Sequence, residues 1–246
     1  MSAYFSEELF HFVGHTDPSD HEKNYSTLKS ILESRCISHP PHNSDWGATS
    51  ITFTWDNALV SGMIVPTVVC FCDIPREHLS LHIKKYGVFG LSLPKGLLAR
   101  YGGRPVMYVP IRADNHRSPF GAEMLRDVEQ VYRGFRLHIL GKVDHGDRVT
   151  RMLGTLPGSE QEAASAMDSV FTKDFLAFLK PYDLRLAEDH LEHYYAEREW
   201  RKFGNQQFSP SDVRRIIVAP GYKQRLGREL PQYERRIEEE GSSLQQ

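Results

Sequence analysis

Long apolar stretches are missing from this 246-residue chain. No run approaches the roughly 20 residues that a membrane helix needs. The opening Met1-Ser2-Ala3-Tyr4-Phe5 lacks the basic-then-apolar order of a secretory signal. Cysteine is scarce too: three residues, an odd number, argue against a secreted disulfide framework. Net charge is nearly absent, with a formal value of -2, so nothing pulls the whole molecule towards nucleic acid or acidic membranes. An anionic partner would have to be recognised locally. Gly87-Val88-Phe89-Gly90 is not followed by Gly-Lys-Ser/Thr, so neither a phosphate loop nor a dinucleotide fingerprint is present. There is no internal repeat. These absences leave a cytoplasmic globular protein, 40% hydrophobic and 25% charged, long enough to bury a substantial core.

What is there alternates between strand and helix patterns. Leu9 to His15 reads as a short buried strand ending at Gly14, followed by a polar loop from Thr16 to Asn24. Tyr25, Leu28, Ile31 and Leu32 then recur at helical spacing, with Ser26 or Thr27 near the helix start. Cys36 to Ser50 has the composition of a loop. Ile51 to Trp55 alternates as a strand, and the apolar run Val65 to Ile74 predicts one strand buried on both faces. Glu77 to Tyr86 predicts a helix ended by Gly87. Val88 to Leu93, Lys95 to Arg100 and Pro105 to Ile111 predict strand, short helix and strand. Met124 to Leu140 and Ala163 to Leu179 predict two amphipathic helices, the second stopped by Pro181. We therefore expect a single α+β domain over 1–240 with a helical insertion at about 112–180, and a disordered tail over 241–246.

Few segments carry chemistry. Tyr194 to Arg201 packs two carboxylates, two guanidinium groups and three large aromatics into eight residues. Read as a strand, it puts Tyr195, Glu197, Glu199 and Arg201 on one face, with the two glutamates roughly 7 Å apart. Like charges that close need a cation or a substrate between them. The plainer reading is a solvated face on which Glu197 and Arg201 form a weak surface pair. Cys70-Phe71-Cys72-Asp73 could join His78 and His82 around zinc, but Cys-x-Cys is a poor match to structural zinc spacing, and buried free cysteines are the commoner outcome. No metal is expected. Arg214-Arg215 and Arg235-Arg236 read as solvated basic pairs, and His190 and His193 as surface residues. His11 on the first strand and Tyr86 at a helix end each have a packing explanation.

Taken in order, these blocks resemble the AbiGi family of abortive phage-infection proteins. The matching segments are His11-Phe12-Val13, Leu28 with Ile31-Leu32-Glu33, Cys70 to Pro75, His82 to Gly90, Leu179 to Tyr182 and Tyr195 to Arg201. Members are described as antitoxins paired with a nucleotidyltransferase-like toxin, which implies a cognate toxin or antitoxin protein, or a phage component, as partner. The layout is also similar, more distantly, to the ADP-ribosyltransferase fold, a mixed or antiparallel sheet core with flanking helices. That likeness implies NAD as co-substrate and a macromolecule, nucleic acid included, as acceptor. It would give Glu199 the ribosyl centre to stabilise and Glu197 the acceptor to orient or deprotonate. His11, Tyr86 and Arg201 would bind the cofactor, with Tyr86 against nicotinamide. The second motif lacks the Ser-Thr-Ser strand of one subclass. The resemblance thus leaves two expectations, a transferase of phage defence or a catalytically inactive antitoxin that binds a toxin.

Overall fold

The computed structural model describes residues 6–39, 51–53, 64–112, 120–138, 162, 166–187, 189–191 and 193–240. The chain divides into two compact units, one made of 1–47, 68–106 and 195–246, the other of 48–67 and 107–194. The architecture is α+β, with a mostly antiparallel sheet and several helices.

The first unit is built on β1 (Glu8–Phe12), β5 (Val69–Cys72), β6 (Gly90–Pro94), β7 (Arg104–Pro105), β10 (Glu199–Lys202), β12 (Arg215–Val218) and β13 (Ile237–Glu239). They form one seven-stranded sheet in the order β13-β12-β6-β1-β5-β10-β7. All neighbours are antiparallel except β12 and β13. Its core gathers Leu9 and Phe10 from β1, Phe71 and Cys72 from β5, Leu91 and Leu93 from β6, and Ile216, Ile217 and Val218 from β12. Strands buried on both faces read as continuous apolar runs, which is why the sequence pattern here is not alternating. A small ladder of β2 (Cys36–Ile37) and β11 (Gln206–Gln207) lies apart from this sheet.

Helix α1 (His21–Ser34) starts earlier than its apolar spacing predicts. The cap is Asp20, whose carboxylate accepts from the Lys23 amide at 3.1 Å. Ser26 and Thr27, read as start signals, lie inside the helix and bond back to the carbonyls of Glu22 and Lys23. Tyr25, Leu28, Ile31 and Leu32 form the buried stripe as expected. Helix α2 (Ser80–Tyr86) follows a 3-10 turn at Arg76–His78 and ends at Gly87, whose φ of 79° lies in the region only glycine enters freely. Helix α3 (Lys95–Arg100) matches its predicted bounds.

The expected single strand from Val65 to Ile74 is two strands. β4 (Ile64–Pro66) pairs with β3 (Ile51–Phe53) in the second unit, whereas β5 belongs to the first. Pro66 has no amide hydrogen with which to extend a ladder, and the break falls just after it. β5 is not buried throughout either, since Cys70 is exposed.

Among its described residues the second unit holds a strand pair as well as helix. β8 (Met107–Arg112) and β9 (Leu179–Asp183) pair in parallel, and α4 (Phe120–His138) packs Leu125 and Tyr132 against Val109, Ile111, Leu176 and Leu179. The segment predicted as a helix up to Leu179 runs through a π-helical turn at Val170–Phe175 and a 3-10 turn at Leu176–Phe178 before entering β9. Pro181, expected to end that helix, sits within β9, a position a two-stranded ladder tolerates. The predicted connector at 141–159, most of the loop before Ile51, Trp55 and the 241–246 tail lie outside the described residues.

Candidate functional site

The carboxylates of the Tyr194 to Arg201 tract do not sit on one strand. Tyr194–Glu197 is a 3-10 turn, and β10 begins at Glu199. Arg198 between them takes a left-handed conformation with φ of 46°, a strained state for a residue with a Cβ. This kink breaks the alternation on which the sequence reading relied. Its backbone is tied down, because the Arg198 carbonyl accepts from the Asp73 amide at 3.0 Å.

Glu199 opposes Cys72 on β5, and Arg201 opposes Cys70. Directly opposed residues share a face, so all four side chains share one, together with Phe10, which also opposes Cys72. Arg201 closes a two-toothed ion pair on Glu199 within this face, with Nε to Oε1 at 2.8 Å and a terminal nitrogen to Oε2 at 3.2 Å. Arg201 is 4% exposed and Glu199 6%, so water screens this pair little. Arg201 therefore forms a buried pair with Glu199, where the plainer reading had a solvated surface pair with Glu197.

Glu197 is held from α2. One of its oxygens accepts from Lys85 Nζ at 2.5 Å and from the Tyr86 hydroxyl at 2.6 Å. Tyr86 lies between His82 and His15, with ring centres at 4.9 and 6.0 Å. Burial pushes its phenol far above the ordinary tyrosine range, and the charges of Glu197 and then Glu199 push the same way. Burial likewise raises the Cys72 thiol, reinforced by Glu197. Cys72 is thus an inert core thiol.

Two glycines set the position of Tyr86. A Cβ on Gly14 would collide with the Tyr86 carbonyl oxygen. Gly87, immediately after it, needs its positive φ. The helix end is thereby pressed against the turn after β1.

His11 is elsewhere. It neighbours Phe10 on β1, and successive residues of a strand point to opposite faces. Its ring packs on Phe71 at 5.6 Å and its Nδ1 lies 2.8 Å from the Cys70 carbonyl. Phe12, by contrast, meets His82 of α2 at 5.8 Å on the carboxylate side. The fold therefore gathers Tyr86, Glu197, Glu199 and Arg201 and leaves His11 across the sheet from Glu199.

Sequence reasoning gave no role to Lys85, Asp73 or Lys95. Lys85 precedes Tyr86 in the last turn of α2, where a lysine reads as a complement to the helix dipole. Asp73 directly follows Cys72 and is 7% exposed; its Oδ2 takes Lys95 at 2.7 Å with Arg198 at 3.8 Å, while its Oδ1 has no hydrogen bond from a described residue. The legible signal was its place in the Cys-Phe-Cys-Asp-Ile-Pro block. Among the described residues no group of three or more His, Cys, Asp or Glu side chains could hold a metal ion.

A family model matches residues 42–245, which is most of the chain. The chain belongs to the AbiGi family. That family is described as an abortive phage resistance protein, antitoxin, which suggests a role for this chain in abortive phage resistance as an antitoxin and implies a cognate toxin as partner. The AbiGi match begins beyond β1 and α1, so His11 and the Leu28 to Glu33 block lie outside it. It includes Tyr86, Glu197, Glu199 and Arg201. A search of curated proteins finds no match, and none is found among solved structures. No helix among the described residues is long and apolar enough to cross a membrane.

Proposed function

We propose that this AbiGi member acts as an antitoxin by binding its toxin, and that Glu197 and Glu199 serve the architecture of the chain rather than a reaction. One observation carries the reading: each carboxylate is neutralised from within, Glu199 by Arg201 and Glu197 by Lys85, with the Tyr86 hydroxyl donating to Glu197 as well. A carboxylate that must stabilise developing positive charge in a transition state works by being available to it. A buried two-toothed guanidinium pair removes that availability. Co-expression tests the proposal. The toxin alone should arrest growth, the wild-type chain should restore it, and Glu199→Gln should restore it wherever the variant folds. Loss of rescue by a folded Glu199→Gln chain would count against binding as the whole mechanism.

ADP-ribosyl transfer from NAD is the second reading, favoured by the convergence of Tyr86, Glu197 and Glu199. It asks that Arg201 release Glu199 when substrate arrives and that a residue other than His11 complete the cofactor site. Incubation with labelled NAD separates the readings. Label transferred to protein or nucleic acid, or NAD hydrolysed, with loss of either in Glu199→Gln, would replace the first reading with the second.

A further inference from the structure

A depression of about 980 Å³ opens in the first unit, away from Glu199. Five cationic side chains line it: Lys95, Arg214, Arg215, Arg235 and Arg236. Their charges are not equally free. Arg215 is taken by Glu8 and Glu238, both at 2.7 Å, and Lys95 by Asp73 at 2.7 Å. Arg236 donates to the Pro210 carbonyl, which holds its guanidinium without cancelling its charge. Arg214 and Arg235 are exposed, and their guanidinium groups make no hydrogen bond or ion pair with a described residue, although Arg214 is near enough to help lower the pKa of Asp212. Glu7 is the only lining carboxylate without an ion-pair partner among the described residues. Three guanidinium groups therefore face one carboxylate in a concave setting. The two arginine pairs that read as solvated in the sequence converge here from β12 and from the turn before β13.

We propose that this depression binds a small phosphate-bearing ligand of the nucleoside polyphosphate class, with the phosphates on Arg214, Arg235 and Arg236. The volume lies at the upper end of the roughly 300–1,000 Å³ usual for small-molecule sites. Guanidinium forks match phosphate oxygens two at a time, and a guanidinium already fixed in place, as in Arg236, loses little freedom on binding. Trp200 lines the same wall, beneath Lys95 at 5.7 Å, and offers a face of the kind on which bases stack. Hydroxyl groups of a ribose would find acceptors in Glu7 and Glu8. An acidic protein segment fits less well, because its carboxylates would run on into Glu7, Glu8 and Glu238.

Titration calorimetry on the full chain at low salt, with ATP and with inorganic triphosphate as probes, tests the site. Both should bind, more weakly as salt is raised. Arg214→Ala/Arg235→Ala should weaken both at least tenfold, whereas Lys23→Ala, which removes an exposed cation on α1, should not. The double variant alters two exposed side chains, and its circular dichroism and melting should match wild type. ATP binding at least tenfold tighter than triphosphate assigns the nucleoside to Trp200; equal binding assigns the phosphate chain alone. The proposal is overturned if neither probe binds, if the folded double variant binds as wild type does, or if only an oligo-glutamate peptide binds.

Discussion

The buried pair of Arg201 and Glu199 is the sharpest test at the scale of single residues. Removing one partner of such a pair leaves the other charged in a dry place, at a cost of about 3–5 kcal/mol. Arg201→Met should therefore lower the denaturation free energy by that amount. Arg201→Met combined with Glu199→Leu should recover most of it, as chemical unfolding of both variants would reveal. Tyr86 gives a second test through pH. Its folded pKa is raised, so its contribution to stability is intact below the unfolded value near 10 and is lost as pH climbs beyond it. Ultraviolet titration of the eleven tyrosines should contain a late-ionising class that loses one member in Tyr86→Phe. Tyr25 and Tyr233 are also raised by burial and remain in that class. At this scale the sequence was partly readable. The clustering of Glu197, Glu199 and Arg201 is visible because they are near neighbours in the chain. Their pairing is not, because it turns on the left-handed Arg198 and on Lys85, which lies 112 positions away from Glu197.

Among the elements, glycine positions decide how tightly the site is held. Gly14→Ala forces the turn after β1 off the Tyr86 carbonyl and should cost about 1–3 kcal/mol, the range seen for overpacking. Gly96 is the control. A Cβ there meets nothing within 4 Å, and Gly96 lies in α3, so Gly96→Ala should stabilise by about 0.5–1 kcal/mol. Thermal melts of the two variants should move in opposite directions. The elements themselves were well marked where local signals acted alone: α1 by its apolar stripe and α2 by Gly87. They were misread where partners decide. Val65 to Ile74 looks like one strand because both halves are apolar, and only the different partners of β4 and β5 separate them. Pro181 looks like a helix stop because periodicity cannot say that the helix has already ended in tighter and wider turns.

At the scale of the whole molecule, the α+β class followed from the mixture of patterns, but the division into two units did not. The second unit is spliced from two separated stretches, 48–67 and 107–194, and no composition shift marks the first boundary. The order of the seven-stranded sheet carries a consequence for synthesis. Its middle strand, β1, is the first of the seven to be made, and one of its two edge strands, β13, is the last. The strand joined to β5 on the far side, β10, emerges about 130 residues after β5 itself. β1 meets both of its own neighbours, β5 and β6, by residue 94, but a ribosome must extrude nearly the entire described chain before β10, β12 and β13 can complete the sheet. Such proteins are exposed to proteases and chaperones throughout translation. Stalled nascent chains ending near 205 should be digested rapidly, and those ending beyond 240 with the exit tunnel cleared should resist. An antitoxin assembled this way becomes functional late after each round of synthesis, so its supply to the toxin lags its message by the time needed for folding.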